Sequence, residues 1–269
     1  SLAFGIARSG TTLARDLEGG ARDGFMIGSA ASASLGFDVE AGSGLAVRRD
    51  WGRLSLTASA ETGKARLWHN RETEGLRGRY RGYDFGQLSA ALSRRFGPAS
   101  LSVRATRLAE AETVLGGRFD ALFGTPGATT WFADVDARWS PAPGWDVAAS
   151  WRRGWSRIGA GGARTGTDRL QSSAWSVDLA RSGLWHADDR LALRVAQPLR
   201  IATGGFDLTL PTAYDPVTGA TQATISRVGL APEGREIDVE AAYARALGRG
   251  FLTLNAYWRR DPGNVAAAP

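Results

Sequence analysis

Charged side chains recur at two-residue spacing in this chain. Asp134, Asp136 and Arg138 fall in one stretch, and Asp146, Ser150 and Arg152 in the next. Ser176 with Asp178, then Arg194, then Asp238 with Glu240, repeat the rhythm. Paired carboxylates can do acid–base work or hold a divalent cation, but only where the groups converge on one point. On extended backbone a spacing of two sets them in a row along one strand face instead. The expectation is therefore a hydrated ion-pair lattice, with Asp134, Asp136 and Asp146 near Arg138 and Arg152, and Asp238 and Glu240 near Arg194 farther round. Interior charges need such partners, and the same lattice could grip a segment of chain passing beside it. No catalytic residue, metal site or cofactor is expected.

Other chemistry finds little footing. Cysteine is absent, so there is no thiol nucleophile, thiolate metal site or disulfide. Of the two histidines, His69 reads as a residue of a long loop over 63–82 and His186 as one of a short connection beside Trp185. Neither shares a motif with a serine. The run Gly159-Ala160-Gly161-Gly162 lacks the Lys-Ser/Thr ending of a phosphate loop and reads as a plain loop.

The elements that must position these residues show best between 145 and 156. There Trp145, Val147, Ala149, Trp151, Arg153 and Trp155 alternate with Asp146, Ala148, Ser150, Arg152, Gly154 and Ser156. A strand so patterned puts an aromatic-ended apolar face opposite a polar one, which suits lipid on one side and water on the other. Trp145 and Trp155 are ten residues apart, which is ~33 Å along a strand and ~25 Å once tilted by about 40°, the height of an outer-membrane apolar band. Trp131, Trp139, Trp145, Trp151, Trp155, Trp175 and Trp258 are thus expected to form aromatic girdles at the membrane interfaces. In a soluble sandwich they would be core and would need a second sheet over them.

Composition agrees. Hydrophobic residues make up 43% and charged residues 22% of 269, with 35 glycines and 10 tryptophans. Mean hydropathy is −0.21. No apolar run is long enough for a membrane helix, whereas alternation hides a barrel's lipid face in a polar-looking average. The net charge of +6 would raise nucleic acid as a partner, but the arginines are spread one or two per segment, as with Arg104, Arg138, Arg152 and Arg194. Nucleic acid is not expected.

Eleven strands are readable: 1–8, a poorly defined one ending near Trp51, 53–62, 83–96, 99–109, 129–140, 145–156, 169–182, 189–211, 222–246 and 249–260. Short and long connections alternate along them, the parity of an outer-membrane barrel. The two long segments should protrude as a ribbon over about 200–235, bent at Gly204-Gly205 and between Pro232 and Gly234. The reading is all-β: one transmembrane antiparallel up-and-down β-barrel over 1–269, of about 12 strands. Single-chain barrels have even strand numbers as a rule, so the last strand is expected to lie beyond this sequence or to come from another chain. No segment reads as a helix that would fill the interior.

Three stretches carry a family likeness: Gln197-Pro198-Leu199-Arg200-Ile201, Gly204-Gly205-Phe206-Asp207-Leu208, and the run from Leu230 to Tyr243, with Arg259 to Asn264 following. Here the chain resembles the C-terminal autotransporter-type barrel that follows subtilisin-like serine peptidase passengers in alphaproteobacteria. The match covers the final third; the rest agrees in strand rhythm. The resemblance implies a translocator domain of the bacterial outer membrane in type V secretion. Its partners would be outer-membrane lipid and lipopolysaccharide, the barrel assembly machinery, and a passenger segment or another protein chain. Folding of the exported chain outside, not nucleotide hydrolysis, would drive passage. The family's aromatic-ended last strand and its peptidase passenger are not within this sequence. The alternatives are an accessory barrel that docks a partner through its ribbon and loops, and a soluble all-β binding module.

Overall fold

The structure is a computed structural model that describes residues 1–18, 24–26, 31, 35–69, 79–119, 124, 126–159, 164–214, 216–248 and 250–266. In chain order its elements are β1 (Leu2–Ile6), α1 (Gly10–Glu18), β2 (Val39–Trp51), β3 (Leu54–His69), β4 (Arg79–Phe96), β5 (Ala99–Glu110), β6 (Ala128–Trp139), β7 (Trp145–Ile158), β8 (Arg164–Ser182), β9 (Asp189–Tyr214), β10 (Thr221–Gly229), β11 (Ile237–Leu247) and β12 (Gly250–Arg260). One 12-stranded antiparallel sheet results, each strand beside its sequence neighbour from β1 to β9, then β11 and β12, with β10 paired to β9 alone. Among the described residues no ladder joins β1 to β12.

Tight turns close one end of the sheet. Gly52, Gly97, Gly144, Gly183 and Gly248 each stand in a short connection with positive φ. In the two-residue loops Gly52-Arg53 and Gly97-Pro98 the glycine comes first, as a type II′ hairpin requires. At the other end β3–β4 and β5–β6 are joined by long stretches, but β8 begins at Arg164, so the connection after Ile158 is no longer than the 140–144 and 183–188 turns and the expected parity holds only in part.

Strand lengths depart from expectation where the apolar alternation stops. β3 and β4 stay paired through His69↔Arg79, so His69 ends a strand instead of sitting in a loop. Above the apolar band neither face needs to be hydrophobic, and the period-2 signal fades while the hydrogen bonds continue. The expected strand 222–246 is two strands, β10 and β11. Pro232 has no N–H to give, its carbonyl takes Arg200 Nη2 at 2.9 Å, and Leu230 N turns back to Gly204 O at 3.0 Å. Ladder shifts on the β8–β9 edge near Gln171/Ser172 and Ser173/Trp175 mark the same bend.

A helix that sequence reading missed lies on the inner face. α1 is nine residues long and opens Gly10-Thr11-Thr12, a length and composition too weak to hold in water alone. Tertiary contacts hold it. Ser9 Oγ accepts Thr11 N (3.2 Å), as an N-cap does. Glu61 Oε2 on β3 accepts both Ser9 Oγ (2.5 Å) and Thr11 N (3.1 Å). Leu13 and Ala14 pack on Ala46 of β2, with Ala3 and Leu17 alongside. A local capping box would carry the acid three residues into the helix; here a neighbouring strand supplies it.

Candidate functional site: the polar interior and the segment within it

Alternation assigns every strand an inner and an outer face. On β6 the inner positions include Phe132 and Asp134, both buried, while Trp131, Val135 and Trp139 are exposed on the outside. On β7 Ser150, Arg152 and Ser156 are buried and Trp145, Trp151 and Trp155 exposed. Outward Leu45, Val47, Leu54, Leu56, Leu88, Leu92, Leu101 and Val103 extend the apolar surface over β2 to β5. A continuous exposed apolar face of this extent marks an interface with something apolar.

The sheet is rolled about its own N-terminal segment. Residues 9–37 reach β3 and β4 through Ser9, Thr11 and Gln87, and β5 through Glu18 and Arg104 at 3.3 Å. Ala31 N donates to Ser150 Oγ on β7 at 2.9 Å. Met26 N donates to Glu240 Oε1 on β11 (2.6 Å), and Asn255 Nδ2 on β12 donates to Gly24 O (2.8 Å). The Arg194 guanidinium on β9 lies 4.2 Å over the Phe25 ring. One short segment can touch β3, β5, β9 and β12 on the same face only if the sheet curls around it, in keeping with the twist of antiparallel strands.

Two buried ion pairs grip this interior. Arg152 forks onto Asp134, its register partner, with Nε–Oδ1 at 2.6 Å and Nη2–Oδ2 at 2.9 Å; the two side chains are 2% and 0% exposed. Arg194 forks onto Asp178, its partner across β8–β9, at 2.7 and 2.6 Å. Each guanidinium also covers an aromatic face, Phe132 in the first case and Phe25 in the second. Bidentate arginine–carboxylate geometry of this kind fixes orientation as well as charge.

The remaining expected interior residues divide. Ser150 and Ser176 are buried and hydrogen-bonded to each other at 2.7 Å. Asp136 and Arg138 line a polar cavity of about 1450 Å³ with Asp178, Arg194 and Asp238. Asp146 was expected near Arg138 and Arg152; Arg138 is its diagonal neighbour on β6 and acts on its charge, but its hydrogen bonds are to Arg190 of β9 and Ser140 Oγ, both at 2.8 Å. It lies too near the tight-turn end for Arg152, whose register partners are Asp134 and Ala174. Asp238 lies 3.4 Å from Arg259 Nε on β12, and Glu240 holds Met26 N and Asn255 Nδ2.

The cavity opens toward the tight turns, where Gly97, Pro98, Trp139 and Ser140 border it. Toward the long loops the interior is apolar. Phe85, Leu108 and Phe132 pack with Leu35, Phe37, Val39, Leu115 and Leu199. Val114, Ala128, Ile158 and Leu170 pack with Phe119, Ile201 and Leu230. Phe37 meets Phe85 edge-on with ring centroids 6.1 Å apart. Sequence reading expected a polar lining and did not foresee this layer. Phe85, Leu108, Phe132 and Leu170 at inward parity were the available signal.

Buried carboxylates that sequence reading did not single out organise the connections. Glu110 accepts Thr113 Oγ1, Leu115 N and Gly116 N, each at 2.8 Å. Asp189 accepts the backbone N–H of Leu184, Trp185 and His186. His186 Nδ1 stands 3.8 Å from the same carboxylate, so it belongs to a turn. Of the run 159–162 only Gly159 is among the described residues, and its N–H pairs with Gly127 O.

All seven expected girdle tryptophans face outward or half-outward. Trp131 and Trp155 are register partners toward the long-loop end, and Trp139 and Trp145 stand at the tight turns, while Trp258 lies near the end of β12 away from the Gly248 turn. Trp151 and Trp175 are register partners partway along their strands, so they form a lateral aromatic pair between the two rims.

The fold and interior thus define an all-β, antiparallel up-and-down sheet rolled around one of its own segments. Comparison with known proteins returned no matching family model, no matching curated protein and no matching solved structure.

Proposed function

We propose that the chain is a closed β-barrel of the bacterial outer membrane, acting as the translocator domain of an autotransporter and holding an N-terminal passenger through its interior. The observation that carries this reading is the division of faces. An exposed apolar and tryptophan-bearing surface runs outside, while inside, charged side chains of the strands hold residues of the N-terminal segment, Arg104 on Glu18, Arg194 over Phe25 and Glu240 on Met26 N. A sheet edge in lipid leaves backbone groups unpaired at several kcal/mol each, so the edges of β1 and β12 must be joined, directly or through a further strand. The lumen's long-loop half is filled by side chains, so this arrangement anchors; export requires the filling segment to move aside.

The test is secretion. A signal sequence and an epitope-tagged passenger are joined before Ser1, and external protease is added to intact cells. Passenger released by protease supports translocation. Passenger protected in intact cells, with the barrel correctly inserted, refutes it. A second reading, an accessory barrel that docks a partner, is favoured by the β9–β10 ribbon, whose Tyr214, Val217 and Ile225 are all exposed.

A further inference from the structure

The outer face carries a charge arrangement that neither the lattice inside nor passenger transport uses. On β7 and β8, Arg157 and Arg169 are direct register partners at outward positions, both exposed. Like charges placed opposite each other on a strand pair repel across roughly 5 Å. Arg153 stands four residues down the same face of β7, beyond Trp155, donating to Gln171 Oε1. Arg107 of β5 lies in the row that continues through Trp131 and Trp155, each the register partner of the next. No carboxylate occupies an outward position in 99–109, 129–139, 145–157 or 169–181. The nearby loop acid Glu112 is engaged by Arg118 at 3.9 Å.

The tight-turn rim is built differently. There the outward arginines have partners: Arg49 is stacked on Trp51 at 5.3 Å, Arg94 on Phe96 at 5.0 Å and Arg181 on Trp145 at 5.0 Å, and Arg245 pairs with Asp188 at 3.9 Å. Toward the long loops Arg153, Arg157 and Arg169 share the outer face of β7 and β8, and Arg107, two strands away on β5, borders an apolar groove of about 410 Å³ on the same outer face. Ala58, Ala60, Ala90 and Ala105 floor this groove, and Arg107 and Trp131 border it. Small side chains here leave room for a methylene chain, and the arginine fork beside it matches phosphate oxygens in pairs.

We infer that this face is a binding site for a phosphorylated lipid, its phosphates set among Arg107, Arg153, Arg157 and Arg169 and its acyl chains lying on the alanine-floored groove and the tryptophans. The inference rests on the membrane-barrel reading, because only a lipid leaflet presents phosphate and acyl chain together at that height. A doubly phosphorylated headgroup satisfies the cluster best, since its charges relieve the Arg157–Arg169 repulsion while reaching Arg107 in the next row but one.

The experiment uses the full chain in neutral detergent micelles, first shown to be heat-modifiable on a cold gel. Native mass spectrometry then measures retention of bis-phosphorylated lipid A, of the same lipid after dephosphorylation, and of the bis-phosphorylated lipid with millimolar inorganic phosphate added. Retention is expected only for the phosphorylated lipid and should survive free phosphate. Each charge-assisted contact is worth about tenfold in affinity, so R157Q/R169Q should weaken retention by roughly a hundredfold. R49Q/R94Q at the other rim should leave it unchanged. Equal retention of both lipids, no loss in R157Q/R169Q, or displacement by inorganic phosphate overturns the site while the barrel stands. A chain that stays soluble without detergent and is not heat-modifiable overturns the barrel reading itself.

Discussion

Removing Arg152 should destabilise the chain more than removing Arg152 and Asp134 together. The pair is fully enclosed, with two hydrogen bonds of 2.6 and 2.9 Å and exposures of 2% and 0%. At an effective dielectric near 20, unit charges about 4 Å apart attract by ~4 kcal/mol. That gain is largely offset by the cost of taking both ions from water. Arg152→Met removes the attraction and leaves the Asp134 carboxylate enclosed without either hydrogen bond, an expected loss of about 3–5 kcal/mol. In the double variant Asp134→Leu/Arg152→Met no charge is stranded, and the expected loss is within about 1–2 kcal/mol of the parent. Asp134→Leu alone strands the Arg152 guanidinium and should cost a similar ~3–5 kcal/mol, so the coupling from the double-mutant cycle, the two single losses less the double loss, should be at least about 4 kcal/mol. Urea titration in micelles, followed by tryptophan fluorescence, reads all four corners. A single-variant loss below about 1 kcal/mol, or single losses that simply add, would mean that water reaches the pair and the interior is not enclosed as described.

Two further substitutions probe the packed interior. A Cβ at Gly154 would meet Phe132 Cε1 at 2.7 Å and crowd Ser172 Oγ, so Gly154→Val should cost about 1–3 kcal/mol through overpacking; a urea midpoint equal to the parent's would show that the Phe132 layer is loose. Glu61→Ala removes the acceptor of Ser9 Oγ and Thr11 N and weakens α1 docking by about 1–3 kcal/mol, roughly a tenfold rise in the fraction of time undocked. In planar bilayers the parent should be mostly closed and this variant should open more often, whereas identical conductance records would separate α1 from any role in filling the lumen.

The antiparallel strands, the tight turns and the two faces of each strand were legible because they rest on period-2 alternation and on turn glycines, both local signals. Hence Trp145 to Trp155 and Gly97-Pro98 were placed correctly. What escaped depends on contacts distant in sequence. α1 takes its N-terminal acceptor from Glu61 and its apolar cover from Ala46, neither of which its own nine residues announce. The ion pair Asp146–Arg190 joins β7 to β9 across β8 and cannot be read from either strand alone. Phe132 and Leu108 on the inner face are covered by Phe37 and Leu199, which come from stretches far from them in sequence. The division of β10 from β11 turns on the Arg200–Pro232 contact and the fold-back of Leu230.

The central claim, a closed barrel with its tryptophans against lipid, is tested most directly by cold detergent gel electrophoresis of the purified chain with and without boiling. The account predicts a compact band that migrates faster unheated, slows after boiling, and comes only from detergent-extracted envelopes. A chain that is soluble without detergent and migrates identically before and after boiling would contradict it, and would make the outward tryptophans the contact surface of some other partner.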